Sequence, residues 1–503
     1  MSTTLNSVDI FIIGGGINGA AVARDAIGRG FSVMLAEAED YASATSSSSS
    51  KLIHGGLRYL ETYEFRLVRE SLHERETMLK IAPHICFPLR FLVPITATQK
   101  RPAWMVRIGL MLYDFLSGAK LLARSGGLSK AQVTALPRLK KDGLTAVLHY
   151  PDCWVDDARL VLSTLMDARK RGADILNYRR VEKITPHENG YSIELNERGS
   201  KRTVHARYVV NAAGPWANEV LDVTDAPFPR SGLRLVRGSH IVLKMPEPAE
   251  NDAYTLQSRD GRVIFTLPWL NSRFLIVGTT DAPQEESPRQ AKCSDEERDY
   301  LLKSYNRYFT HPNAPATSAD VVWTWAGVRP LIDDGADNPS KVTRESRLAV
   351  QKNGAGAFVT IYGGKLTTHR TLGEKVMDEL AKCGAETGIS WTATQPLYGG
   401  GLARKALQKL ADDGPEAIDD NIRQRWVFTY GDETQALYDA VMSDPKAADI
   451  IAPGILRAEL AHAVAHEDVL NAEDFLYRRT KLFIDLDATG IQAVENWFNS
   501  EGR

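Results

Sequence analysis

Cysteine is scarce in this chain of 503 residues: Cys86, Cys153, Cys293 and Cys383 lie far apart, and no C-x-x-C pair occurs. That spacing excludes a disulfide framework and argues against a zinc site or an iron–sulfur cluster. Net charge is also nearly absent. With 61 Lys+Arg against 63 Asp+Glu, the formal charge is −2, so there is no global basic field to draw in nucleic acid or anionic lipid, and any anion site has to be local. A basic flank followed by an apolar leader is missing, because the first apolar segment already reads as a strand, and this predicts a reducing, cytoplasmic location. Long uninterrupted apolar runs are missing too. The nearest candidate, Trp104 to Leu122, carries Arg107, Asp114 and Lys120, and one acid near the middle of a span costs ~2.5 to 3.5 kcal/mol.

What the chain does have is a nucleotide-binding opening. Val8 and Ile10 to Ile13 form an apolar run that suits a strand covered on both faces of a parallel sheet. Gly14, Gly16 and Gly19 then give G-x-G-x-x-G, with Gly15 and Asn18 in the same turn, directly before the alanine-rich AAVARDAIGRG. The first glycine permits the tight turn, the second a close approach of pyrophosphate to the backbone, and the third close packing of helix on strand. The helix N-terminus adds free N–H donors and a partial positive charge. A second strand, Phe31 to Ala36, stops at Glu37, about twenty residues on, where a carboxylate accepts from a ribose diol and repels a 2′-phosphate. That argues against NADP and leaves NAD and FAD open.

Length predicts two or three domains. Thr45 and the serine run Ser46 to Ser50 follow the second strand closely enough to reach phosphates, although five serines elsewhere would read as a linker. They lead into Lys51, Leu52, His54, Gly55, Gly56 and Arg58. Phe65 to Ala82 has helical periodicity, Pro83 to Pro94 is broken by prolines with a short strand near Phe91 to Val93, and Ser117 to Asp142 reads as loops. Asp156 or Asp157 is placed to cap a helix over Ala158 to Arg171. Tyr208 to Ala213 is a buried strand running into Gly214, and Ser231 to Ala349 alternates like an antiparallel sheet. Phe358 to Tyr362, Gly363, Gly364 and a helix expected near Leu366 repeat the opening architecture. The resulting division is a discontinuous dinucleotide domain, 1–230 and 350–390, with a helical insertion at about 62–150; an antiparallel β domain, 231–349; and a helical C-terminal domain, 391–503.

The segment near Trp104 has two readings. Arg107 and Asp114 share one helix face, leaving Met105, Ile108, Met111, Leu112, Phe115 and Leu116 across the rest. It is either a core helix or an amphipathic helix lying in a membrane interface.

The stretches FIIGGGINGAAVARDAIGRG, TSSSSSKLIHGGLRYLE, RPAWMVRIGL, YPDCWVDDARLVL, VVNAAGPW, RGSHIVL, GTTD, WAGVRPL and GGKLTTHRTL together resemble the flavin-dependent glycerol-3-phosphate dehydrogenases. RRTK at Arg478 to Lys481 is a less specific match. The resemblance implies an α/β fold with an FAD-binding Rossmann-like domain of the glutathione-reductase/D-amino-acid-oxidase type. It implies non-covalent FAD, oxidation of sn-glycerol 3-phosphate to dihydroxyacetone phosphate, a quinone acceptor, and a peripheral place on the inner face of the cytoplasmic membrane; a homodimer stays open. It places counterparts of Arg58, Arg329 and Lys365 at the substrate phosphate, where burying a dianion demands compensating charge. Tyr59 is a candidate hydroxyl donor to the same group, and the structural alternatives are ion pairs of Arg329 with Asp333 or Asp334 and of Arg58 with Glu61. His54 and His240 are the candidates for the base. The cofactor set is Gly14, Gly15, Gly16, Asn18, Gly19, Glu37, Thr45, Ser46, Ser47, Lys51, Leu52, His54, Gly55, Val181, Ala213, Gly214, Gly363, Gly364, Lys365, Leu366 and Thr367. His462 and His466 have the i, i+4 spacing of metal ligands but lack the glutamate of H-E-x-x-H, so no metal is expected. Three alternatives remain at this point: an oxidase using dioxygen, an amine or amino-acid oxidase on the same scaffold, and a flavin-binding sensor without turnover.

Overall fold

The computed structural model describes residues 6–97, 99–118, 121–312, 315–333 and 345–501. Its first sheet is organised on β1 (Ser7–Ile13), which runs parallel to β2 (Val33–Ala36) on one side and to the strand Ser200–Asn211 on the other. Beyond Ser200–Asn211 come the strands Gly356–Tyr362 and Arg347–Asn353, and beyond β2 comes Asp174–Leu176. Ile10 to Ile13 are buried because both faces of this sheet are covered. On one face Ile10 and Ile12 pack with Ala20, Val22 and Ala23 of α1 (Ile17–Gly28) and with Leu160 and Val376 from two later helices. On the other, Phe11 and Ile13 meet Val209, Phe358 and the hairpin Arg180–Glu197, whose Ile184, Ile193 and Leu195 face inward. Asp156 caps the helix Asp157–Lys170 by accepting from the Arg159 N–H at 3.0 Å.

The second sheet has ten strands and begins earlier in the chain than the alternation after Ser231 indicates. The segment expected to be a helical insertion contains two long strands, Cys86–Thr96 and Leu144–Val155, that pair antiparallel and join the strands Leu233–Lys244 to Val321–Ile332 in that sheet. The prolines read as breakers remove two ladder donors without shifting the register, which runs from Cys86 opposite Val155 to Ile95 opposite Ala146. The helix Asp295–Tyr308, started by the Ser294/Glu297 capping box, covers this sheet with Leu301, Leu302 and Tyr305. At the far end, Arg347–Asn353 returns to the first sheet.

The helix Ala103–Ser117 is not a core helix. Only Leu110, Tyr113 and Ser117 are buried, while Trp104, Ile108, Met111 and Phe115 are 63, 58, 65 and 81 % exposed. The core is satisfied by one side of a helix that is apolar nearly all round, so the other side has no protein partner among the described residues. Asp114 accepts from the N–H and Oγ of Ser125 at 2.9 and 2.7 Å, which keeps its charge off the apolar face; Lys120 lies outside the described residues. No helix among the described residues is long and apolar enough to cross a membrane.

The C-terminal domain packs five helices, from Arg404–Asp412 to Ala488–Ser500, around two apolar clusters centred on Trp426 and Phe475. A π-helical turn, Asp474–Arg479, faces the nucleotide domain.

Candidate active site

At the opening glycine loop, Gly14 has φ +109°, and its N–H donates to the Ala36 carbonyl at 2.9 Å. A Cβ on Gly19 would stand 2.0 Å from the Gly14 oxygen, so only glycine lets α1 start this close to β1. The first helical bond is Ala20 N–H to Gly16 C=O, so the N–H groups before it precede any helical acceptor. Ile17 N–H is taken by Ser46 Oγ at 3.0 Å. Glu37 accepts from the N–H groups of Gly15 and Glu39 at 2.6 and 2.9 Å, and burial pushes its carboxyl up.

The serine run is pinned. Thr45 Oγ1 donates to the Val328 carbonyl at 2.7 Å, and Ser49 Oγ to Asp157 Oδ2 at 2.7 Å. Lys51, expected at the cofactor, is turned away from the cavity: it is 3 % exposed, its Nζ donates to Asp157 Oδ1 at 2.8 Å, and it stands 5.2 Å from the Trp325 ring centre. A buried ammonium takes the carboxylate nearest to it, and Asp157 is free for this because Asp156 does the capping. Gly55 is likewise behind the wall, its N–H donating to the Tyr113 hydroxyl at 2.8 Å. Ser47 Oγ turns to the Ala44 carbonyl at 3.2 Å.

Chain segments far apart in sequence close the same cavity. Asn18 Nδ2 donates to the Gly363 carbonyl at 3.1 Å, joining the two glycine turns, and Asn18 Oδ1 is a buried acceptor with no protein donor. Gly363 and Gly364, at φ +72° and +104°, make a turn that extends through Leu366 and Thr367, so the helix begins at His369 rather than near Leu366. The cavity holds about 2080 Å³, against roughly 300 to 1,000 Å³ for a single small ligand, so a dinucleotide and a substrate fit together. Its wall carries Gly14, Gly16, Asn18, Glu37, Thr45, Ser46, Leu52, Val181, Ala213, Gly214 and Gly363 to Thr367.

The six candidate catalytic residues line this cavity as well: His54, Arg58, Tyr59, His240, Arg329 and Lys365. The carboxylate found between the two arginines is Asp281, the last residue of GTTD. Arg329 Nη1 donates to its Oδ1 at 2.7 Å, and Arg58 Nη1 is 3.9 Å from its Oδ2. Arg329 Nη2 also donates to Thr279 Oγ1 at 2.9 Å. Glu61, the alternative partner considered for Arg58, pairs with Arg101 at 2.7 Å, and Asp334 lies outside the described residues. Lys365 Nζ sits 3.7 Å above the Tyr59 ring, a cation–π contact that orients the ammonium.

His240 is 1 % exposed and stacks on Trp325 at 4.7 Å, with Nε2 2.8 Å from Ser50 Oγ. Burial, reinforced by Arg329 and Lys51, holds its pKa well below the usual histidine value, so it is neutral at physiological pH. The His54 ring stands edge-on to Phe265 at 6.3 Å, and the His54 backbone N–H donates to Thr367 Oγ1 at 3.3 Å. Asp281, Ser50 and Trp325 were not singled out from sequence, although GTTD, the serine run and WAGVRPL were all visible as motifs. His462 and His466 have rings 4.7 Å apart, and no metal-ligand group of three occurs among the described residues.

The glycine cradle at a helix N-terminus, the acid closing β2, the orphaned Asn18 acceptor and the cavity volume all fit a flavin dinucleotide. Comparison with known proteins agrees. The pattern of the FAD dependent oxidoreductases matches residues 9–370, and that of the C-terminal domain of alpha-glycerophosphate oxidase matches residues 390–499. The aerobic glycerol-3-phosphate dehydrogenase of Escherichia coli K12 is 40 % identical over 98 % of this chain and 97 % of its own. The D-erythritol 1-phosphate dehydrogenase of Brucella abortus is 42 % identical, with 98 % of each chain covered. The solved glycerol-3-phosphate dehydrogenase of Bacillus halodurans, complexed with FAD, superposes with a TM-score of 0.79 at 29 % identity, over 100 % of this chain and 92 % of that one. The chain belongs to the FAD-dependent oxidoreductase family, in the branch that pairs the flavin fold with the alpha-glycerophosphate oxidase C-terminal domain and contains the glycerol-3-phosphate dehydrogenases.

Proposed function

We propose that this enzyme oxidises sn-glycerol 3-phosphate to dihydroxyacetone phosphate at FAD and delivers the electrons to a membrane quinone. The observation that carries this reading is the gathering of Arg58, Arg329 and Lys365 in the cavity that begins at the Gly14 loop. FAD supplies the acceptor for the hydride leaving the secondary carbon. Arg329 and Arg58 meet the phosphate: Asp281 and Thr279 fix the Arg329 guanidinium beforehand, Arg58 stands 3.9 Å from the same carboxylate, and a dianion gains charge-assisted hydrogen bonds from a fork that is already oriented. Lys365, steered by Tyr59, adds a third positive charge.

The hydroxyl proton has a route through Ser50, whose Oγ lines the cavity and shares a hydrogen with His240 Nε2. A neutral imidazole fixed by a stacked indole is in the protonation state to receive it, and His54, on the same cavity wall, is the competing acceptor. At the other end of the flavin site, Gly363 and Gly364 expose backbone N–H groups next to the start of the helix His369–Lys382, where donors stabilise charge gathering on reduction.

The quinone and membrane parts of the reading are supported by the Ala103–Ser117 helix. Met105, Ile108 and Leu112 form part of the cavity wall, and the same helix shows Met111 and Phe115 to the outside. An apolar acceptor dissolved in the bilayer would enter along that face, with the protein lying on the inner surface of the cytoplasmic membrane.

A second substrate is favoured by a specific observation, the 42 % identity to a D-erythritol 1-phosphate dehydrogenase. A terminal phosphate beside a secondary alcohol is common to both compounds, and the cationic cluster serves either. Anaerobic titration of the holoenzyme discriminates: the flavin band should bleach with sn-glycerol 3-phosphate at lower concentration than with D-erythritol 1-phosphate, and a quinone analogue should restore it. Bleaching by glycine or sarcosine and by neither phosphate ester sinks the reading in favour of an amine oxidase. Peroxide formed mole for mole with turnover, unaffected by quinone, points to an oxidase. Reduction that survives unchanged in both Arg329→Ala and Lys365→Ala points to a sensor.

A further inference from the structure

The RRTK motif has no role in the chemistry above, yet it stands at the adenosine end of the cofactor cavity. Asp40 follows Glu37 by three residues and is 1 % exposed. Arg478 Nε and Arg479 Nη1 donate to its Oδ2 at 2.5 and 2.6 Å, and Arg479 Nη2 donates to its Oδ1 at 2.9 Å. Burial alone would raise the Asp40 carboxyl; the two guanidiniums from the C-terminal domain reverse this and hold it below its usual range. A second bond crosses the same boundary, Tyr178 hydroxyl to Asp474 Oδ1 at 2.6 Å, and Asn471 Nδ2 donates to the Tyr178 hydroxyl at 3.2 Å.

These contacts do more than dock two domains. Asn471, Glu473 and Arg478 are themselves part of the cavity wall, next to Tyr178 and close to Glu37. The amide, carboxylate and guanidinium they bring are groups that bond a ribose or an adenine edge. We infer that the C-terminal domain forms the outer wall of the FAD site around the adenosine half of the cofactor, so that retention of FAD and docking of this domain are one coupled equilibrium. By linkage, a ligand that touches only the docked form holds the domain in place, and the docked domain raises the ligand's affinity by the same factor. The inference rests on the orientation that puts adenosine at Glu37.

Amide hydrogen exchange on the full-length protein, stripped of flavin and reloaded, tests it. FAD is expected to slow exchange across residues 467–481 by tenfold or more, and ADP alone to reproduce most of that protection, while riboflavin alone has no effect there. Spontaneous FAD release, followed by flavin fluorescence, should accelerate at least fivefold in Arg478→Ala. It should accelerate measurably in Glu473→Ala as well, whose carboxylate is 72 % exposed and leaves the fold intact. Exchange in 467–481 that ignores both FAD and ADP, or release unchanged in Glu473→Ala and Arg478→Ala, overturns the coupling. If Glu37→Ala also leaves release unchanged, the orientation of the cofactor falls with it.

Discussion

At the scale of single residues, the site is built from charges fixed by partners distant in the chain. Arg329 reaches Asp281 across 48 positions, and His240 meets Ser50 across 190. Loss of one charge-assisted anchor costs about 1.5 to 3 kcal/mol, so Arg329→Ala should lower kcat/KM for the phosphate substrate by roughly 10- to 100-fold, read from anaerobic flavin reduction. A second prediction follows from the depressed His240 pKa. Because burial keeps the imidazole unprotonated well below the usual value near 6.5, the limiting rate of flavin reduction at saturating substrate, where the phosphate with its second pKa of about 6 is already bound, should stay flat as pH falls from about 8 to 6. An acid limb centred near 6.5 would reassign the proton acceptor. The glycines of the two turns were legible in the sequence because each is demanded by local geometry. Asp281 was not, since an acid's importance here depends on two arginines brought in by other strands, and the pairing of Lys51 with Asp157 was not, because nothing local announces that partner.

At the scale of elements, periodicity identified β1, α1, β2 and the helix after Asp156 with boundaries close to those observed. It failed at Cys86–Thr96, where two prolines hid an eleven-residue strand, and it left the Ala103–Ser117 helix undecided, since an apolar side chain reads the same whether it faces a core or a lipid. The structure puts that helix on the outside with Ile108, Met111 and Phe115 together. Each such side chain contributes about 1.5 to 3 kcal/mol when buried. Met111→Asp with Phe115→Asp, both outside the cavity wall, should therefore reduce cosedimentation with anionic vesicles more than 100-fold. Flavin reduction by substrate in solution should stay normal, because neither substitution touches the cationic cluster; binding that persists in the double variant would assign membrane contact to another surface.

For the whole molecule, the interface between the C-terminal and nucleotide domains is ionic and buried. Asp40, Asp156 and Glu467 meet Arg479, Lys481 and Arg159 there. Burial would raise all three carboxyls, but the cations hold each below its usual range. Their contribution to stability is therefore complete above the unfolded carboxyl range near 4 and is lost as pH falls through the lower folded values. Limited proteolysis should release the C-terminal domain as the pH drops below about 4, before the remaining core opens. Arg479→Leu should bring the same release at neutral pH, since removing one partner of a buried pair costs about 3 to 5 kcal/mol; an intact interface in that variant would contradict the ionic account.

The hydrogen bond from Asn18 to the Gly363 carbonyl has a consequence for biosynthesis. It joins positions 345 residues apart, so the flavin cradle cannot close until the ribosome has passed the second glycine turn. At about 5 to 20 residues per second, that is an interval of roughly 20 to 70 s. For a little over half of it β1 has β2 on one side and an open edge on the other, because its second neighbour, Ser200–Asn211, is made well after both. The nascent chain must keep that bare edge from other strands while it waits, and free FAD in the cell has nothing complete to bind until most of the protein exists.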